Sequence, residues 1–353
     1  MRDSKLEIRH MERIKQYPDQ IVNEHEYAVE QGFSYFNSES YRNNCQGTPA
    51  QGPRGNIKKD GIVSGLKTLK EMAPNIIGIM SGMKKNFSDA ENYVKELESL
   101  GSVSPTGQDH MKNFPNNAIW NKIKDYAWEN HQVVIGFTEV PSEYIFKGKA
   151  LLFRYALVCI QEMNEDLINK APKIEANYEV MRVYNTLGKA TNDLANWLKK
   201  EFNIKCIASH PMGGIVDTTP LAEKAGLGRI GHSGLLITPQ FGTRLRISTV
   251  FIDTPLFPFT DNHHHDWVQN FCDQCHQCER KCPAGAIYSD KKTYIKHASD
   301  VPDRIACIDR EKCYPYFCKT GGCGVCIKVC PFSNSKIGYN KLKEKFTKAK
   351  TSK

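Results

Sequence analysis

The chain has 353 residues, 40% hydrophobic and 25% charged, which suits two globular domains, or one with a large insertion, and excludes a small disulfide scaffold. The opening Met1-Arg2-Asp3-Ser4-Lys5-Leu6-Glu7 has neither an apolar core nor a twin-arginine motif. The longest apolar run, Leu151 to Ile160, contains Arg154 and is too short to span a bilayer, so a reducing cytoplasmic setting without a transmembrane segment is expected.

Residues 1–115 carry no catalytic grouping. Phe36 to Asp60, rich in Asn, Gly, Pro and Ser, reads as a long loop with Cys45 as a lone thiol. A helix is expected from Ser88 to Leu100, where Ser88 and Glu91 form a capping box, Ala90, Tyr93, Leu97 and Leu100 share a face, and Gly101 closes the end. From Asn116 the pattern sharpens. Val133 to Phe137 and Tyr155 to Ile160 read as buried strands, with Cys159 and Cys206 as apolar fillers. Between Tyr178 and Phe202 the residues Val180, Tyr184, Leu187, Leu194 and Leu198 recur at helical spacing, and Ile204 to Ala208 follows as a strand. Alternating strands and helices predict an α+β domain of α/β-type layers over 116–262.

The glycines Gly226, Gly228, Gly231 and Gly234 then allow the backbone to approach a bulky or anionic ligand, although the formal G-x-G-x-x-G is not placed as a dinucleotide fingerprint. Gly242 to Leu256 alternates as a half-buried strand carrying Arg244 and Arg246. His263, His264 and His265 fall in a polar linker and are expected at the surface.

Ten of the 13 cysteines lie between Phe271 and Ser333. The first half reads Cys272-x-x-Cys275-x-x-Cys278-x-x-x-Cys282-Pro283, and the second has Cys313 followed by Cys323-x-x-Cys326-x-x-x-Cys330-Pro331. Thiolates at two-residue gaps wrap one face of an iron–sulfur cubane, whereas structural zinc prefers two separated C-x-x-C pairs. Two [4Fe–4S] clusters are therefore expected in a two-cluster ferredoxin-like domain over 263–335. In bacterial ferredoxins the last cysteine of each motif serves the other cluster. On that pattern Cys272, Cys275 and Cys278 pair with Cys330, while Cys282, Cys323 and Cys326 need one more thiolate. Cys313 is the first choice, with Cys307 or Cys318 as alternatives. Each cluster with its thiolates carries about 2−, which lowers the formal +9 to about +5. Seven lysines against Glu344 lie between Phe332 and Lys353, and the basic tail 336–353 is expected as a solvated, fraying terminus, with docking of an acidic electron donor or a nucleic acid as the alternative.

Taken together, Pro220 to Pro239, Gly242 to Leu256 and the tandem cysteine motifs resemble the corrinoid iron–sulfur reductases, the family of reductive dehalogenases and epoxyqueuosine reductases, over roughly Ile135 to Phe332. The spacing of Cys313 to Cys323 is more similar to the dehalogenase branch. The resemblance implies a nitroreductase-like domain holding a cobalamin, with electrons passing through the clusters to cobalt for reductive cleavage of a small substrate, and a reduced ferredoxin or flavodoxin as donor. It implies a tyrosine proton donor assisted by a basic residue. Tyr184 matches that position best, Tyr178 is the alternative, and Arg244 or Arg246 matches the base. Gly226, Gly228, Gly231, His232, Ser233, Gly234 and Thr238 are the expected corrinoid contacts. Epoxyqueuosine reductases place an aspartate before the Pro-Leu-Ala-Glu segment; Met212 stands there, with Asp217 nearby, so tRNA is the second substrate class. A two-cluster electron carrier without catalysis is the reading from outside the enzyme class.

Overall fold

The structure, a computed structural model, describes residues 66–99, 116–141, 144, 151, 153–212, 214–255, 263–293 and 305–351. The opening segment, the loop expected over Phe36 to Asp60 and Cys45 lie outside these residues.

The chain enters through helix α1 (Leu66–Ser99) and then α2 (Asn117–His131), which Asn116 caps by accepting from the Ala118 and Ile119 amides. Strands β1 (Val133–Glu139) and β2 (Tyr155–Glu162) follow, then the short α3 (Glu165–Ile168) and the long α4 (Ile174–Phe202). Next come β3 (Cys206–Ser209), α5 (Thr218–Lys224), the two-residue strands β4 (Arg229–Ile230) and β5 (Leu236–Ile237), and β6 (Leu245–Ile252). Strands β1, β2, β6 and β3 form, in that order, one antiparallel sheet.

The sheet is buried on both faces because side chains alternate between two cores. On β2, Ala156, Val158 and Ile160 meet the core under α5, while Leu157 and Cys159 meet the core under α2 and α4. Each such aliphatic side chain contributes about 1.5–3 kcal/mol relative to exposure. Cys159 and Cys206 are buried fillers as expected, and burial pushes both thiols up to about 12. The same alternation fixes the arginines. Arg246 shares its face of β6 with Val250 and Ile252, which pack toward α4; Arg244 precedes the strand at the edge.

Helix α1 corrects the first expectation. It runs through Pro74 without ending, so Ser88 lies inside a helix and is no N-cap. What holds α1 on α4 is polar and close: Asn86 Nδ2 donates to Asn192 Oδ1 at 2.7 Å, Asn185 Nδ2 donates to Asn75 Oδ1 at 3.1 Å, and a Cβ on Gly78 would fall 2.2 Å from Asn185 Oδ1. An apolar-stripe reading has nothing to detect at such an interface.

Beyond the sheet, a 3₁₀ turn (His263–His265) leads into α6 (Trp267–Cys275) and α7 (Gln277–Arg280). The pair β7 (Ile287–Thr293) and β8 (Ile305–Ile308) and the helices α8 (Arg310–Lys319) and α9 (Val325–Lys328) complete the cysteine-bearing unit. The chain closes with α10 (Tyr339–Thr351). The basic tail is thus a helix and not a fraying end. Tyr339 and Leu342 are buried with Val268, Cys272 and Phe332, and Trp267, Phe271 and Phe346 complete an aromatic cluster around them. His265 corrects the surface reading of the histidine run: it is 3% exposed, and its Nδ1 lies 2.7 Å from the Tyr339 hydroxyl. Among the described residues no helix is long and apolar enough to cross a membrane.

Candidate functional site

The cysteines gather around two separate cavities. Cys272, Cys275, Cys278 and Cys330 line the first, together with His232, Ser233, His276 and Phe332. Cys282, Cys313, Cys323 and Cys326 line the second. Each set therefore joins three residues of one half of the unit to one of the other, except that Cys313 comes from α8 instead of a C-x-x-C run. Cys307 instead sits against the glycine-rich turn, where a Cβ on Gly234 would stand 3.2 Å from its own Cβ. The side chain of Cys318 lies outside the described residues.

Gathering thiols this way is unfavourable without a cation. Burial pushes Cys330 up to about 12, with Cys272 and Cys278 adding to the rise, and burial pushes Cys326 up to about 12, with Cys323 and Cys313 adding to it. Bound iron reverses that preference, because a coordinated thiol is deprotonated outright and ligand binding then stabilises the folded unit. Four thiols around each cavity are the donor set that an iron–sulfur cubane needs.

The unit is clamped to the sheet by Arg244. This side chain is 4% exposed; its Nε donates to the Ser333 carbonyl at 2.7 Å, and its Nη1 donates to the Met163 carbonyl at 2.8 Å and to Glu162 at 2.7 Å. Glycine is required beside it: Gly242 has φ +57°, and a Cβ there would fall 1.9 Å from the Phe332 carbonyl. Glu165 accepts from the Ser335 amide at 3.2 Å, and hydrogen bonding from Ser335, its side chain first and its amide second, holds the Glu165 carboxyl below its usual range, with Arg244 acting in the same direction.

Arg246 is placed differently. Its guanidinium lies 5.0 Å from the centre of the Tyr184 ring, and its Nε is buried without a hydrogen-bond partner among the described residues. It lines the second cavity, a space of about 200 Å³ that runs from the four cysteines to Ala176, Asn177 and Val180 of α4. Tyr184 stands behind Arg246, half-buried and outside the α4 residues that fill the core. Of the two candidate bases, Arg246 is the one beside Tyr184.

The expected corrinoid contacts do not share one surface. His232 and Ser233 line the first cysteine cavity, and a Cβ on Gly231 would stand 3.4 Å from Cys272 Sγ. Gly226 and Gly234 adopt φ +75°, whereas Gly228 is needed for contact, since a Cβ there would fall 2.1 Å from the Ile237 carbonyl. Thr238 is fully buried, and its hydroxyl accepts from the Phe241 amide at 3.1 Å. The turn thus abuts the cysteine unit. Asp217 caps α5, its side chain accepting from the Thr219 amide at 3.4 Å, and Met212 is 42% exposed.

The comparisons with known proteins agree with this arrangement. Residues 271–334 match a 4Fe-4S dicluster domain. The chain is 30% identical over 195 residues to a tetrachloroethene reductive dehalogenase of Desulfitobacterium hafniense, covering 53% of this chain and 34% of that protein. It is 28% identical over 149 residues to an epoxyqueuosine reductase of Listeria monocytogenes, covering 38% of this chain and 36% of the other. A solved structure of a catabolic reductive dehalogenase, NpRdhA, superposes with a TM-score of 0.54 at 22% identity, covering 66% of this chain and 34% of that one, which bears on the fold alone. The chain spans about a third of the length of these two curated relatives. Over the matched stretches it is similar to reductive dehalogenases and epoxyqueuosine reductases, and it is a mixed helix-and-sheet protein with a 4Fe-4S dicluster domain over residues 271–334.

Proposed function

We propose that the protein is an iron–sulfur, corrinoid-dependent oxidoreductase of the dehalogenase type, cleaving a carbon–halogen bond of a small molecule with a nitroreductase-like sheet domain as scaffold. The observation that carries this reading is the second cavity, which joins four cluster cysteines to a half-buried arginine whose Nε is buried without a partner among the described residues, with a tyrosine behind it. The first cysteine cavity lies instead under α10, whose exposed face carries Lys341, Lys343, Lys345 and Lys348. A lysine-rich surface over one cluster suits an acidic one-electron donor such as a reduced ferredoxin or flavodoxin. Electrons then enter at the first cluster and leave from the second.

The net reaction consumes two electrons and one proton, replacing carbon–halogen by carbon–hydrogen and releasing halide. The chemistry a corrinoid would supply, if held beside the second cavity, is a metal centre able to attack or reduce that bond. Arg246 Nε is the donor available to its amide side chains or to the substrate. Tyr184 holds the proton on its hydroxyl, within the orbit of Arg246, and delivers it to the carbon as halide departs. Arg244 acts on neither; it fixes the cluster unit against the sheet.

The test is halide release from chlorinated and brominated small molecules by the cobalamin-supplied protein under a low-potential reductant. Release that disappears when the corrinoid is omitted supports the proposal. Turnover of an epoxyqueuosine-containing tRNA stem-loop with no halide release would replace it by the tRNA-modifying reading, against which the capping role of Asp217 already speaks.

A further inference from the structure

The Gly226 to Gly234 turn brings one side chain into the first cysteine cavity that no cysteine motif supplies. His232 is 3% exposed, yet neither ring nitrogen has a hydrogen-bond partner among the described residues. Its Nε2 lies 3.4 Å from Glu279 Oε2, an ion-pair distance and not a hydrogen bond, and that carboxylate is already engaged with His276 Nδ1 at 2.7 Å. The second nitrogen of His276 lies 2.8 Å from the Asp273 carbonyl, so His276 is satisfied at both ends and His232 at neither. The two rings meet edge to face at 4.7 Å. The turn packs against the cysteines at this point: a Cβ at 231 would stand in van der Waals contact with Cys272 Sγ, 3.4 Å away, and would meet Ile237 Cδ1 at 2.6 Å.

A buried imidazole always has one N–H to place, and the wall it faces is made of Cys272, Cys275, Cys278 and Cys330. We infer that His232 is a positioning residue for the first [4Fe–4S] cluster: it reaches across from the sheet domain to donate a ring N–H to one of the cluster's sulfurs, and so holds that cluster's reduction potential up. The inference rests on the dicluster domain alone and not on the corrinoid or the substrate. The direction follows from charge. One-electron reduction adds negative charge to the cluster with no bond made or broken, and a fixed N–H dipole favours the more negative state. With this donor the first cluster accepts an electron from a partner more readily than its four thiolates alone allow, and a change on the sheet side of the interface is felt at the cluster.

The experiment uses the full chain with both clusters loaded, titrated anaerobically and followed by electron paramagnetic resonance. His232→Leu should move the midpoint of one cluster to more negative potential and leave the other in place, and His232→Gln, which keeps an N–H donor, should restore most of the shift. Protein labelled with ¹⁵N-histidine should show nitrogen coupled to the reduced first cluster, lost in His232→Gln and retained in His276→Gln; this reading needs no leucine variant to assemble. Unchanged midpoints in His232→Leu, or a coupling that disappears only with His276→Gln, would overturn the inference. So would one further metal ion beyond about eight irons, bound through His232, His276 and Glu279 and lost when any of them is replaced.

Discussion

The two cysteine cavities hold the same ligands and differ in everything around them. The first is tight and walled by a histidine, a serine and aromatic rings, with a lysine-rich helix on its outer side. The second is larger and mostly apolar, and it opens toward α4 and Arg246. Identical chemistry in unlike surroundings gives an electron path a direction: the polar, positively fringed end suits arrival from a partner, and the apolar end suits transfer to a group shielded from water. The two arginines of one strand repeat the lesson. Arg244 spends its donors on main-chain carbonyls and Glu162, whereas Arg246 keeps one unspent at the cavity wall.

The sharpest way to break this comparison is to remove ligands from one cavity at a time. Cys275→Ser and Cys323→Ser should each lower the iron content from about eight to about four per chain and abolish a different resonance signal, while Cys307→Ser should leave about eight. If Cys307→Ser costs a cluster and Cys313→Ser does not, the second ligand set is wrong. Next in size is Tyr184→Phe, which should cut turnover about a hundredfold or more while changing stability by about 1 kcal/mol or less, as expected for a lost proton donor whose ring stays in place. Full turnover would return Tyr184 to a packing role.

The layered fold was legible in the sequence wherever apolar spacing was strong. Strands β1, β2 and β6 and helix α4 appear within a few residues of where the pattern put them, because both sheet faces are filled by aliphatic side chains. The part of helix α1 before Ser88 was missed because its contacts with α4 include asparagines and a glycine, and α10 because a few buried residues among many lysines look like a solvated end until Trp267 and Phe271 are brought to meet them. The cysteine grouping was expected from the ferredoxin motif order, in which the last cysteine of each run serves the other cluster, and the two cavities bring those same residues together. Which arginine faces Tyr184 was not, because 244 and 246 have the same strand parity and only where β6 begins separates them. His232 was singled out for a corrinoid, and only the packed turn shows it at the first cavity; an unpaired buried nitrogen has no signature in sequence.

The arginine pair yields a smaller but cleaner contrast. Arg244→Met should lower stability by about 2–3 kcal/mol, since it leaves the Ser333 and Met163 carbonyls buried without donors, whereas Arg246→Met should cost less than about 1 kcal/mol and act on turnover. Anaerobic melting of cluster-loaded protein separates them; equal losses would show that both are structural. The smallest effect expected is on acid stability. Burial lowers His210 and His265 to about 4, so both are neutral when folded. Between pH 6.5 and 4 the unfolded chain binds more protons, and stability should fall as pH drops through that window and be unaffected by these groups above it. A melting midpoint that is flat from pH 6.5 to 4, or equally sloped in His210→Gln, would refute this assignment.

The central claim is that two iron–sulfur clusters feed a corrinoid at the second cavity. The measurement that meets it most directly is the metal content and visible spectrum of protein prepared anaerobically with cobalamin supplied. The account predicts about eight irons, about eight sulfides and one cobalt per chain, with corrinoid absorbance that survives gel filtration and changes when the clusters are reduced. Two clusters with no retained cobalt would contradict it and leave an electron carrier in its place.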